Sequence, residues 1–365
     1  MKLIRLELEQ FTAFEQVGFD FAPGVNVLIG ENGTGKSHVL KLIYCLSESI
    51  RRYRTGEGQD QSLRKPKLVE VVADTLVAVF QPDELGHLVR RGADRHTAKI
   101  RATWGSIADP ITLFVEISKS GITCHVSQNS APPSETAVPS LERSIFIPTR
   151  EVLSIFPGFI SSYVRRESAF DRTFYDLCLA LDAKPLRGPH DEVRGRLLEP
   201  IEDALGGEIV NDRGRFYLKL PEGDLEAPLV AEGIRKLGML DYLIRNGSLT
   251  ENGFLLWDEP EASLNPRLTR LTGHIALGLA HSGVQTWIAT HDYLLTSELT
   301  LEAERLAASY TAFFSLSRPA TPPATPPATL VERGDKLADL QHNSILKALS
   351  ELHDREQAAF LEPAP

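Results

Sequence analysis

The eight residues Gly30-Glu31-Asn32-Gly33-Thr34-Gly35-Lys36-Ser37 carry the densest chemical signal in the chain. They satisfy G-x-x-x-x-G-K-[ST] at every fixed position. The glycines let successive backbone N–H groups curl around an anion. Lys36 supplies a point charge for β- and γ-phosphates, and the Ser37 hydroxyl is a ligand for Mg²⁺. All eight are candidate nucleotide-binding residues, with ATP and Mg²⁺ as the expected cofactors. A second signal is Phe254-Leu255-Leu256-Trp257-Asp258-Glu259-Pro260, an apolar strand that ends in two carboxylates. A buried acid is costly unless a cation or a donor meets it. Asp258 is expected to hold Mg²⁺ through water, and Glu259 to orient or deprotonate an attacking water. A third is Ile288-Ala289-Thr290-His291-Asp292, where His291 just past a strand can sense a γ-phosphate by hydrogen bond. Glu259 and His291 are therefore the catalytic candidates.

These groups need a scaffold, and the pattern around them supplies one. Leu3, Leu6 and Leu8 alternate with polar residues as in a strand. Val25-Asn26-Val27-Leu28-Ile29 reads as a strand running into the glycine loop, and Val39, Leu40, Leu42 and Ile43 follow at helical spacing. Residues 51–67 read as a polar loop, and 68–80 as a helix or a helix running into a strand. Short β-like runs over 97–127 predict an antiparallel meander. A proline- and serine-rich loop spans 130–140, and Ser144-Ile145-Phe146-Ile147 is a short strand. Residues 151–205 read as mostly helical, with a break at Pro185 to Pro189. A hairpin over 208–220, a helix over 232–246, a strand at 254–257 and a helix over 266–281 follow. A strand over 284–290, a helix over 293–308 and a strand over 310–316 complete the series. The repeat Pro-Ala-Thr-Pro-Pro-Ala-Thr-Pro-Pro-Ala over 319–328 favours polyproline II, a stiff spacer. Beyond it, Leu337, Leu340, Ile345, Leu349 and Leu352 predict an amphipathic C-terminal helix.

Together the glycine loop, the run from Leu256 to Pro266 and Thr290-His291-Asp292 resemble the ABC-type ATPases of the SMC/RecF/OLD group. Small members of this group are called AAA-family ATP-binding proteins, and many sit in bacterial DNA-repair or anti-phage operons. The resemblance covers about residues 1–50 and 225–300. It implies an α/β fold: a P-loop NTPase of ABC-type head architecture, with a mixed sheet, a β-rich lobe and a short helical insertion. It further implies that two heads pair around ATP, each site completed by the partner's signature helix and D-loop. The signature candidate is Val230-Ala231-Glu232-Gly233-Ile234-Arg235-Lys236-Leu237, with Gly233 expected to meet the partner's γ-phosphate. Ala231 stands where the family usually has serine, so one hydroxyl donor is missing. Ser263-Leu264-Asn265 is the D-loop candidate. Gln81 is the candidate lid on Mg²⁺, with an ordinary exposed glutamine before Pro82 as the alternative. Arg150 is either a phosphate-facing or a surface arginine.

Composition bounds the function. The chain has 365 residues and net charge −10, so whole-chain electrostatic attraction to nucleic acid is removed. Local basic stretches at 51–67 and 90–101 leave DNA as a candidate partner. With 42% hydrophobic and 24% charged residues the chain is an ordinary globular one. No apolar run is long enough for a membrane helix, and the N-terminus lacks the features of a secretory signal. Cys45, Cys124 and Cys178 are odd in number and far apart, which fits a reducing cytoplasm. About 220 positions separate Lys36 from Asp258, longer than in a compact transporter ATPase, yet without the heptads of a long coiled-coil arm.

The expected domains are a head over 1–318, a linker over 319–329 and a helical tail over 330–365. Within the head, the β lobe is expected at about 97–150 and the helical insertion at about 151–205. The expected function is an ATP-hydrolysing switch whose heads dimerise, or assemble further, to act on DNA or to control a partner effector, a nuclease or toxin, in repair or anti-phage defence. A transporter ATPase subunit and a weakly hydrolysing ATP-bound scaffold are the alternatives.

Overall fold

The computed structural model describes residues 1–56, 66–92, 96–106, 108–128, 138–186, 192–249, 252–304, 310–318 and 328–361. Residues 57–65 of the polar loop expected over 51–67, Arg95 of the basic stretch, residues 130–137 of the proline- and serine-rich loop and residues 319–327 of the proline-rich segment lie outside the described residues; residues 51–55 of the expected polar loop are helical instead.

A six-stranded sheet carries the chemistry. Its parallel strands are β3 (Val25–Gly30), β7 (Ser144–Ile147), β11 (Phe254–Asp258), β12 (Gln285–Thr290) and β13 (Thr311–Ser317). With β14 (Leu330–Gly334) antiparallel on one edge, the order is β14-β13-β3-β12-β11-β7. Parallel sheets are covered on both faces, so their strands read as continuous apolar runs. Val27, Ile29, Leu255, Trp257 and Ile288 face one core, and Leu28, Leu256, Trp287 and Ala289 face another. That division is the two-residue period of a strand.

The second core lies between this sheet and a five-stranded antiparallel sheet, with α1 (Lys36–Thr55) and α2 (Leu68–Phe80) buried in it. The antiparallel sheet has the order β2-β1-β4-β5-β6. It joins β1 (Leu3–Phe11) and β2 (Phe14–Asp20) to β4 (Thr97–Gly105), β5 (Pro110–Ser118) and β6 (Gly121–Gln128). The expected meander is therefore present, but the lobe is bounded differently from 97–150. It begins at the first strand, because Leu6 pairs with Ala102 and Leu8 with Ile100. It also excludes β7, which sits on the edge of the central sheet beside β11.

The first core is closed by α4 (Arg172–Asp182), α5 (Glu192–Leu205), α6 (Glu232–Arg245), α7 (Pro266–His281) and a three-stranded sheet. That sheet comprises β8 (Glu208–Asp212), β9 (Arg215–Leu220) and β10 (Gly223–Glu226), so the predicted hairpin gains a third strand. The insertion also contains the short α3 (Phe159–Val164), and α8 (Tyr293–Ala303) follows β12. A polar seam ties α1 to the insertion. Lys41 pairs with Asp171 at 2.6 Å, and Asp176 accepts from the Tyr44 hydroxyl and from Arg52, each at 2.6 Å.

The tail differs from the expectation of one helix over 330–365. Residues 330–334 are strand β14, paired with β13 and joined to the other sheet where the Arg333 Nε donates to the Asp20 carbonyl at 3.0 Å. Leu337 and Leu340 are buried in the first core. Among the described tail residues the helical parts are a single 3-10 turn at Leu337–Asp339 and α9 (Ser344–Leu361), and residues 350–359 are all exposed. The apolar residues nearest the sheet belong to the head because β13 would otherwise expose an edge beside the glycine loop. Ending the chain after residue 318 should therefore cost at least ~3 kcal/mol, the burial of two leucines. Ending it after Leu349 should cost less than ~1 kcal/mol. Denaturant unfolding of both truncations checks this, and equal stabilities would put the tail outside the head.

Candidate functional site

The glycine loop leaves β3 and enters α1 with no side chain capping the helix, so its first N–H groups are available to an anion. Two glycines are fixed by space. A Cβ on Gly30 would stand 2.2 Å from the Leu316 carbonyl oxygen of β13. Gly35 has φ +100°, and a Cβ there would lie 2.8 Å from the Phe14 ring. The Thr34 hydroxyl donates to the Glu31 carbonyl at 2.9 Å. Lys36 is 5% exposed, and its ammonium donates to the carbonyls of Gly30 at 2.6 Å and Glu31 at 2.9 Å. Burial lowers its pKa, while Glu259, Asp258, Glu261 and Glu31 pull the other way.

Beside the loop, the Ser37 hydroxyl donates to Asp258 Oδ1 at 3.0 Å, across 221 residues of sequence. Burial raises the pKa of Asp258, and the Ser37 hydrogen bond opposes that shift. A buried carboxylate next to a hydroxyl is a hard-oxygen pair suited to Mg²⁺. Among the described residues no cluster of three or more His, Cys, Asp or Glu forms a complete protein cage. Mg²⁺ is usually held by one or two protein groups together with phosphate oxygens and water.

Glu259 follows at φ +48°, a left-handed conformation uncommon for a non-glycine residue. Its N–H donates to the Ala289 carbonyl at 2.9 Å, which locks the turn to β12. The Glu259 carboxylate lies 3.2 Å from His291 Nδ1. Glu261 completes the group. Its Oε1 accepts from the Thr290 hydroxyl at 2.7 Å and from the His291 N–H at 3.4 Å, while Oε2 is buried without a partner. Burial raises the Glu261 pKa. The β11 and β12 ends are thus stapled together by a carboxylate that the motif reading left without a role. The available signal was an acid three residues beyond Asp258 in a turn that must pack under His291.

Two candidates are placed elsewhere. Gln81 ends α2 at φ +49°, and its amide donates to the Phe170 carbonyl at 3.3 Å. It bonds to neither Ser37 nor Asp258. The segment that leaves the sheet beside Asp258 is the one after β7, whose Ile147 pairs with Trp257. Arg150 lies on that segment, and Glu151 makes a 2.8 Å ion pair with Arg235 of α6. Gly233 is also turned inward. A Cβ there would stand 2.6 Å from the Ser263 carbonyl and 3.0 Å from Leu264, so this glycine lets α6 pack on the D-loop candidate. The Lys236 ammonium donates to the Ala262 carbonyl at 2.7 Å and strengthens that packing. Ala231 and Glu232 are the exposed residues at the helix start. Asn265 caps α7 through Leu268 N at 3.0 Å, with Pro266 in the first turn.

Comparison with known proteins agrees with this geometry. An AAA domain model matches residues 5–101. The chain is 43% identical over 60 residues to the DNA replication and repair protein RecF of Staphylococcus epidermidis, and 40% identical over 60 residues to that of Limosilactobacillus fermentum. Each of these matches covers 16% of this chain and 16% of the relative. The RecF of Lactococcus lactis subsp. cremoris is 29% identical over 96 residues, 25% of this chain and 26% of the relative. An Smc head bound to the C-winged helix domain of ScpA superposes with TM-score 0.54 at 12% identity, over 93% of this chain and 99% of that one. An Smc head with an extended coiled coil, bound to the C-terminal domain of ScpA derived from Pyrococcus furiosus, gives TM-score 0.53 at 10% identity, over 96% and 99%. Among the described residues no helix is long and apolar enough to cross a membrane. The chain thus has the fold of an SMC head, and over its first hundred residues, an AAA domain, it is similar to RecF proteins, of which it matches only about a sixth to a quarter of the length.

Proposed function

We propose that the chain binds ATP with Mg²⁺ at Gly30 to Ser37 and Asp258 and hydrolyses it with Glu259 and His291. The observation that carries this reading is the convergence of Ser37 on Asp258 at 3.0 Å with Glu259 on His291 at 3.2 Å. Mg²⁺ when bound would neutralise phosphate charge between Ser37 and Asp258. The loop N–H groups and Lys36 hold the phosphates, and Glu259 accepts the proton of the water that it orients. His291 donates to the oxygen where charge develops, and Glu261 keeps its backbone in place.

Head pairing across nucleotide, control of an effector nuclease or toxin, and action on DNA in repair or defence belong to the same proposal, as does a cytoplasmic location. Their support is the family and the rigid unit of α6, Ser263 and Leu264, which would face a second head. The exposed Ala231 and Glu232 favour weak pairing, because a hydroxyl donor is missing and an acid stands where a phosphate would arrive. Phosphate release from ATP, with Mg²⁺ and with Mg²⁺ removed by chelation, tests the central claim. Mg²⁺-dependent turnover is expected, and bound ATP without turnover would leave an ATP-bound scaffold.

A further inference from the structure

We infer that Arg318 is a positioning residue for the glycine loop, an inference that rests on the ATP-binding reading above. Strand β13 runs parallel to β3 with Leu316 opposite Gly30 and ends at Ser317, so Arg318 leaves the sheet at the same end as the loop. Arg318 reaches across from there, and its Nη2 donates to the Gly33 carbonyl. The approach is close enough that a Cβ on Gly33 would lie 3.9 Å from Nη1 and 4.0 Å from Nη2.

The consequence follows from peptide geometry. In a trans peptide the C=O of one residue and the N–H of the next point in opposite directions. Holding the Gly33 carbonyl toward Arg318 aims the Thr34 N–H to the other side of the loop, among the donors that form an anion-binding nest. Gly33 itself has φ +79°, a conformation from which an unrestrained glycine peptide can readily turn over. Of the other outward carbonyls, Gly30 is held by Lys36, the same ammonium that the phosphates require, and Glu31 by Lys36 together with the Thr34 hydroxyl of the loop itself. Arg318 is thus a tether from outside the loop whose task does not compete with nucleotide.

The test compares wild type, Arg318→Ala and Arg318→Lys for ATP and ADP affinity by calorimetry, ATP turnover, and melting without nucleotide. Loss of one charge-assisted hydrogen bond at an exposed position should weaken ATP and ADP alike by about fivefold or more. KM for ATP should rise in step, kcat should stay within about twofold, and lysine should restore part of the affinity. Melting without nucleotide should not move. Unchanged affinity in Arg318→Ala would overturn the proposal. A loss confined to ATP would also overturn it, since it would mean direct contact with the γ-phosphate. Failure of wild type to bind either nucleotide would count instead against the ATP-binding reading.

Discussion

Replacing Glu259 by Gln is expected to leave ATP bound while lowering turnover by ~10²-fold or more, the usual worth of a positioned general base. The side chain keeps its size, and the backbone turn is held independently by the Glu259 N–H on the Ala289 carbonyl. A glutamine amide can still meet His291 Nδ1, now at 3.2 Å from the carboxylate, but it cannot take a proton from water. Nucleotide affinity should therefore change by less than about threefold, a difference under ~1 kcal/mol. If heads pair across nucleotide, this variant should accumulate the pair with ATP and Mg²⁺. Phosphate release and calorimetry on the same preparation separate the two quantities. Wild-type turnover in the variant would mean that another residue activates the water.

The second large effect concerns Lys36→Ala. Nucleotide affinity should fall by at least ~10²-fold, about 2.7 kcal/mol. Two losses combine. The triphosphate loses its buried cation and donor. Asp258, Glu259, Glu261 and Glu31 then surround the loop without the charge that offsets them. The Lys36 bonds to Gly30 and Glu31 vanish as well, so a circular dichroism melt must accompany the titration. Unchanged affinity in a folded variant would remove the glycine loop from the site.

The sequence by itself determined the parts of this protein whose chemistry is local. The loop proposed at Gly30 to Ser37 is legible because phosphate binding of this kind draws its donors from consecutive backbone groups, so spacing alone records it. Asp258 is legible because an acid at the end of an apolar strand needs a reason. His291 sits just past the next strand, and the alternating meander and the buried runs of β3, β11 and β12 follow the strand period.

Tertiary structure decided what depends on contacts between distant segments. The first strand and the meander form one sheet only because β1 pairs with β4, about ninety residues away. Gln81 follows an apolar run, the position expected of a lid residue, yet it caps α2, and β7 brings 148–151 beside Asp258 instead. Gly233 looks like a phosphate-facing glycine from its helix-start position, but the Ser263 carbonyl occupies the space a side chain would need. The apolar spacing of the tail predicts a helix, whereas pairing with β13 makes its first five residues a strand. Glu261 and Arg318 gained roles in the same way. A carboxylate bridging two strand ends and a guanidinium reaching a loop from a strand 285 positions away leave no periodic trace, because register between strands, not spacing along one of them, brings the groups together.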